Sequence, residues 1–342
     1  MVDAAVLCER GWIPDRLARF GMRRNIRRRL VSERTGGADA IAARQARFIE
    51  SISEGPIAVA TDTANAQHYE VPSEFFTTVL GPRLKYSCCW YDGADVTLAQ
   101  AEEAMLALTC ERAGIEDGMR LLDLGCGWGS LALWLAEHYP ASRITAVSNS
   151  ATQRAHIEAT AAAKGFGNLE VITANVVEWD TEDRFDRVCS IEMFEHMSNW
   201  AALLGKVSSW LKPDGRLFTH VFCHRDVGYH YVPDGGWMER YFFTGGIMPH
   251  EQQFSRFPQQ VQVVDRWWVP GTHYERTCND WLALEDAAID LVSDLCHEAY
   301  GADEATIWVQ RWRMFFMACA ELFGLDAGES YGVVHTLMKR AD

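Results

Sequence analysis

The sequence contains no apolar run near the roughly 20 residues that a helix needs to cross a bilayer, so no membrane-spanning helix is expected. It has no CxxC pair. Its ten cysteines are scattered, with Cys88 and Cys89 adjacent, a pattern that suits free thiols in a reducing compartment better than a disulfide framework or a zinc site. It also lacks an excess of positive charge: 32 Lys and Arg face 47 Asp and Glu for a net charge of −15, which argues against nonspecific nucleic-acid binding. Internal repeats and low-complexity tracts are absent. The opening MVDAAVLCERGW places acids ahead of any stretch that could serve as a signal peptide, so the expected location is cytoplasmic.

The chain holds 342 residues, 48% of them hydrophobic, enough for one large domain or one domain with an appendage. Residues 1–60 carry 11 arginines against 7 acids, leaving −19 for the remainder, and five of those arginines fall between 23 and 29. That stretch reads as a helix face whose arginines pair with acids of the same chain; an anionic lipid surface is the other partner it suits, as peripheral membrane contact. The first 60 residues show helical spacing, and the glycines at 36 and 37 divide them into at least two helices.

From about residue 118 short apolar strands alternate with helix-length segments, the pattern of an α/β fold with a parallel sheet covered by helices. Strands are expected at 120–124, 143–148, 169–174, 185–191 and 216–222, with helices at 129–138, 150–164 and 199–211, the last stopped by KPDG. Strands at 261–267 and 332–339 complete a seven-stranded sheet. Insertions at 223–260 and 270–330, rich in aromatic residues, follow strand ends where open parallel sheets bind ligands.

LLDLGCGWGS, residues 121–130, follows the first strand and opens a helix. Gly125 and Gly127 let backbone approach a ligand closely, as dinucleotide-binding turns also do. Asp123 discriminates: a carboxylate there repels a pyrophosphate but can hold an ammonium group. The second strand ends AVSNS, without the acid that NAD binding wants. A ligand with an amino acid at one end and an adenosine at the other is S-adenosylmethionine.

DLGCG resembles the first motif of the class I methyltransferases, which implies a Rossmann-like fold with a seven-stranded, mostly parallel sheet. The missing acid is informative, because Ser148, Asn149 and Gln153 match the branch containing cyclopropane fatty acid synthases, mycolic acid methyltransferases and coclaurine-type N-methyltransferases. The resemblance covers nearly the whole chain and is nearest to the coclaurine-type enzymes. It implies a helical lid segment at 1–66 and a methyltransferase domain at 67–342. It further implies cofactor contacts from Tyr69 in HYEVPSEFF, Ser87 in LKYSCCWY and Asn175 in TANVVEW. S-adenosylhomocysteine would be the product, no metal is required, and a homodimer is left open.

SIEMFEHM, 190–197, places Glu192, Glu195 and His196 at the end of a core strand. If the chain turns helically there, the three become i, i+3 and i+4 and share one face. Carboxylates can bind and orient an ammonium, and Glu or His can take its proton. By resemblance these are the catalytic residues for a small amine with a hydrophobic or aromatic body, and Tyr274, Trp312 and Phe316 would suit the cation. The rival reading is a cyclopropane synthase or lipid C-methyltransferase with a bound bicarbonate, for which the resemblance implies Cys88, Glu195, His220 and Tyr274 as holders. Glu192 lacks a task in that chemistry. A noncatalytic S-adenosylmethionine-binding protein is the third reading, and it would not require the acids. His224, His230, His250 and His273 read as hydrogen-bonded structural groups.

Overall fold

A computed structural model of the chain describes residues 4–58, 72–231 and 236–341. It opens with α1 (Ala4–Glu9), α2 (Asp15–Arg34) and α3 (Gly37–Ser51), the last two parted at Gly36, whose φ of +99° is left-handed. Next come α4 (Ser73–Val79) and α5 (Leu98–Ala113). A capping box of Thr97 and Gln100 starts α5, and Gly114 at φ +61° stops it, fixing where Arg112 in its last turn stands.

The alternating part follows: β1 (Arg120–Leu124), α6 (Ser130–His138), β2 (Arg143–Ser148), α7 (Ala151–Lys164), β3 (Leu169–Thr173), β4 (Phe185–Ile191), α8 (Trp200–Trp210) and β5 (Leu211–His224). A small pair, β6 (Tyr229–His230) and β7 (Ile247–Met248), flanks α9 (Trp237–Tyr241). The chain then forms β8 (Val261–Pro270), α10 (Gly271–Ala287), α11 (Ile289–Tyr300), α12 (Ala302–Phe323) and β9 (Tyr331–Arg340). All seven expected sheet strands form, in the order β3-β2-β1-β4-β5-β9-β8, with β9 antiparallel to both neighbours. One boundary differs. KPDG, expected as a stop after the helix, is drawn into β5, and the β4 pairing shifts register between Phe185 and Arg187. Such an irregularity accommodates Pro213, which has no N–H for the ladder.

The strand order reverses beside β1, so the carboxyl ends of β1 and β4 frame a crevice. Trp200, Trp210 and Leu217 pack one face of the sheet, and Leu135, Ile144 and Phe218 the other. A third core joins Trp128, just past β1, to Phe75, Phe76, Trp281, Trp312 and Phe316, so the insertion helices are welded to the strand ends. No helix among the described residues is long and apolar enough to cross a membrane.

Several arginines of α2 pair within the chain: Arg19 and Arg23 with Glu321 at 3.0 and 2.7 Å, Arg29 with Glu33 and Arg34 with Asp226. Arg24, Arg27 and Arg28 instead line a shallow surface groove with Phe20 and Val31, which are 62% and 68% exposed.

Gly271 begins α10 between two backbone oxygens: a Cβ there would lie 2.2 Å from both Phe323 O and Tyr331 O. Neither oxygen can swing away as a side chain could. Gly271→Ala is therefore expected to destabilise the protein by about 1–3 kcal/mol, read as a lower urea midpoint; an unchanged midpoint would show that the junction yields.

Candidate active site

The first turn is built as its glycines require. Gly125 and Gly127 have φ of +81° and +52°, and a Cβ on Gly125 would meet Met193 Cγ at 2.7 Å. The amides of Gly125 and Cys126 both donate to Val147 O at 3.0 Å, closing the turn onto β2. Beneath it Asp123 is 1% exposed, and burial pushes its carboxyl up to about 7. Its Oδ2 has no protein partner, nor have Trp128 Nε1 and Ser130 Oγ, and all three residues line the same cavity. Orphaned polar atoms of both signs around a deep crevice fit a zwitterionic amino-acid group, with Asp123 for its ammonium.

The rest of the predicted cofactor set, Ser87, Ser148, Asn149, Gln153 and Asn175, also lines this cavity. Ser148 Oγ donates to Gln153 Oε1 at 2.6 Å and accepts from Ser150 N at 3.1 Å, so hydroxyl and amide hold each other. Asn175 Oδ1 accepts from Val177 N at 3.0 Å. Tyr69 lies outside the described residues.

Beyond the turn the cavity is walled by Phe222, Tyr231, Met238, Phe243, Tyr274, Trp281, Phe315 and Phe323, with Glu192 and His196 on its floor. Glu192 sits just past β4 at φ +48°, a left-handed conformation that a side chain other than glycine seldom takes. Its Oε1 accepts from Cys88 N and His220 Nε2, both at 3.1 Å, and its Oε2 accepts from Tyr274 Oη at 2.6 Å. A carboxylate offers about four acceptor sites, which leaves one for a guest. Burial raises Glu192 to about 7, opposed by Tyr274, the positive charge of Lys85 and the Cys88 amide.

This backbone turn corrects the expected shared face. A left-handed residue at 192 interrupts any helical run, and only Phe194–His196 form a short 3-10 turn. His196 reaches the cavity, 4.7 Å from the Phe243 ring. Glu195 does not: it is fully buried, its Oε1 accepts from Phe222 N at 2.7 Å, and burial with Glu192 nearby keeps it well above the usual carboxylate range. Trp312 and Phe316 are likewise absent from the cavity wall; both are fully buried against Phe75, Phe242 and Trp281. On α12 the wall is made instead by Phe315, Cys319, Leu322 and Phe323, a stripe at i, i+4, i+7 and i+8. Cys88 and His220 are not on the cavity wall; both donate to Glu192, and Cys88 O also accepts from the cavity-lining Lys85. The four histidines read as structural are bonded or stacked; His224 Nδ1, for one, accepts from the amides of Asp226 and Val227.

Lys85 went unpredicted although it stands two residues before Ser87. It is 3% exposed, lines the cavity, and donates to Ser87 Oγ at 2.5 Å and Cys88 O at 2.7 Å. No group of three or more His, Cys, Asp or Glu side chains among the described residues is arranged to hold a metal ion.

A family model described as mycolic acid cyclopropane synthetase matches residues 59–330. The chain is 36% identical over 346 residues to the (S)-coclaurine N-methyltransferase of Thalictrum flavum subsp. glaucum, spanning 99% of this chain and 96% of that protein. It is 30% identical over 236 residues to the cyclopropane-fatty-acyl-phospholipid synthase of Escherichia coli K12, spanning 68% and 59%. A crystal structure of coclaurine N-methyltransferase bound to N-methylheliamine and S-adenosylhomocysteine superposes with a TM-score of 0.95 at 36% identity, covering 98% of both chains.

An ammonium held by Asp123 requires the carboxylate form. With the free group at about 7, binding below that pH must expel a proton, so S-adenosylhomocysteine affinity should fall about tenfold per pH unit below it and level off above. Asp123→Asn should flatten the dependence and weaken binding at high pH. Calorimetric titration across this range measures both; a flat profile for the unsubstituted protein would remove the ammonium from Asp123.

Proposed function

The chain belongs to the mycolic acid cyclopropane synthetase family and is an S-adenosylmethionine-dependent methyltransferase; on that footing we propose that it N-methylates a small amine with a hydrophobic or aromatic body. The observation that carries this reading is Glu192, a buried carboxyl with three donors from three segments and one acceptor site left toward an aromatic-walled cavity.

The cofactor supplies a methyl group on a sulfonium sulfur, whose C–S bond breaks as the bond to nitrogen forms, the sulfur keeping the electron pair. The acceptor needs a free pair on nitrogen, which an aliphatic amine at neutral pH has tied up in an N–H bond. Glu192 receives that N–H and takes the proton, and a group near 7 suits proton acceptance at neutral pH. His196, on the same floor, orients the amine. Tyr274, stacked on Phe323 at 4.2 Å, offers with the other rings an environment worth about 1–2 kcal/mol to a desolvated cation. A carbocation formed from an alkene would find the same carboxylate in reach as a trap, so the lipid reading is disfavoured. Curated relatives aligned over nearly this whole chain are named for amine methylation, which supports the same choice.

Glu192→Gln should lower turnover roughly 100- to 10,000-fold with S-adenosylhomocysteine affinity nearly unchanged. The assay supplies labelled methyl donor with phenethyl and benzylisoquinoline amines in one arm and unsaturated phospholipid vesicles in the other; label confined to lipid would overturn the reading. The groove of Phe20, Val31, Arg24, Arg27 and Arg28 belongs to the same proposal as a contact for an anionic lipid surface. Sedimentation with phosphatidylserine vesicles but not phosphatidylcholine vesicles, lost in Arg24→Glu/Arg28→Glu, is the expected result; equal behaviour in both lipids would dismiss it.

A further inference from the structure

Glu192 is the end of a longer chain of contacts. His220 of β5 and His335 of β9 are directly opposite each other in the antiparallel ladder, and both are fully buried. His335 Nε2 lies 2.9 Å from His220 Nδ1, and His220 Nε2 lies 3.1 Å from Glu192 Oε1. At the far end, Arg112 of α5 places Nη1 2.8 Å from His335 Nδ1.

A guanidinium can only donate, and that fact orders the whole series. His335 Nδ1 must accept from Arg112. Burial and the nearby cations hold both imidazoles neutral, so the hydrogen of His335 is on Nε2 and is donated to His220 Nδ1. The hydrogen of His220 is then on Nε2 and is donated to Glu192. Each ring has one arrangement that satisfies both of its neighbours.

We propose that Arg112 and His335 are positioning residues for the methyl-transfer reaction: they lock His220 in the tautomer that donates to Glu192, so that Glu192 meets its substrate as a proton acceptor. This rests on the reading of Glu192 as the base. Without the lock, His220 can carry its hydrogen on Nδ1 and turn a bare Nε2 toward Glu192, an arrangement that favours the protonated acid. The same polarity closes the histidines as a proton exit. His220 Nε2 already bears a hydrogen, so the proton that Glu192 takes from nitrogen returns to water through the substrate cavity.

The other groups facing this series are accounted for. Glu192 is faced by Lys85 and Cys88 from the segment before α5, by Tyr274 and Cys278 of α10, and by Glu195 past β4. The histidines are faced by Lys85 and Arg112, and Arg112 by Glu111 and the rings of Trp90 and Trp267. None of these supplies His335 Nδ1 with a second donor in the described contacts.

The test is the pH dependence of kcat/KM for the amine at saturating methyl donor, where ionisation of Asp123 no longer intrudes. His335→Phe and, independently, Arg112→Met at a half-buried helix end should move the acid limb up by about one pH unit or more, with activity recovering at high pH. His335→Gln can accept from Arg112 and donate to His220, and should return the limb to its original place. If His335→Phe does not fold, Arg112→Met against His335→Gln decides. Limbs that stay put while activity falls equally at every pH would overturn the proposal and leave the residues merely structural. Glu192→Gln is run alongside: full turnover there would remove the base itself, whereas lost turnover with stationary limbs sinks this inference alone.

Discussion

Placing a carboxylate largely buried on the floor of an aromatic-walled crevice is the constraint around which this side of the cavity is arranged. An ion removed from water without compensation simply takes up a proton. Burial pushes Glu192 up, and the Tyr274 phenol, the charge of Lys85 and the Cys88 amide oppose it, leaving it at about 7; with the ring N–H of His220, three donors converge on it. They come from the segment between α4 and α5, from β5, and from the first turn of α10. Each must be set to within a fraction of an ångström, which explains why these segments are pinned so closely. Glu102 accepts the amides of Arg83 and Lys85, Cys89 N donates to Thr277, and Gly271 is wedged between two carbonyls. The aromatic core linking Trp128 to Trp281 and Trp312 makes the insertion helices part of the same rigid frame.

Much of this was legible in the sequence, and the limit is physical. Strands and helices announce themselves through local periodicity, so the sheet and the turn at 123–129 were readable, and with them one half of the cavity, which Asp123, Gly125, Gly127, Ser148 and Gln153 line near their own elements. The acceptor side depends on backbone conformation and register. Nothing local in SIEMFEHM indicates that Glu192 is left-handed, yet that one φ sends Glu195 away from the cavity. On α12, choosing Phe315 over Phe316 for the cavity needs the helix rotation, which is set by contacts with α10 and α11. His335 was only a residue in a predicted strand until β5 and β9 paired in a register that set it against His220.

The two halves of the cavity treat polarity in opposite ways. On the cofactor side Ser148 and Gln153 bond to each other and Asn175 to its own turn, while Asp123, Trp128 and Ser130 keep buried polar atoms without a protein partner. Such atoms are costly in the free protein, by about 1–3 kcal/mol each, and a ligand that satisfies them recovers that cost as affinity. On the acceptor side the protein satisfies Glu192 itself and surrounds it with apolar surface. Affinity for the methyl donor can thus come from unmet hydrogen bonds, and selection of the acceptor from shape, aromatic surface and a single remaining acceptor site.

Glu195 shows how two adjacent carboxyls avoid opposing each other. Like charges in a dry site cannot both be ionised cheaply. Glu195 has one backbone donor, from Phe222, beyond its own amide, and one oxygen without a partner; Glu192 has three donors and Lys85 nearby. The donor count therefore assigns the negative charge to Glu192 and leaves Glu195 the neutral acid. On the proposed reading, a neutral Glu195 leaves one negative charge at the cavity, enough to match one ammonium. Were both ionised, the site would bind the cation more tightly before methylation and hold its proton more strongly, gaining ground-state affinity at the expense of the step that frees the nitrogen pair.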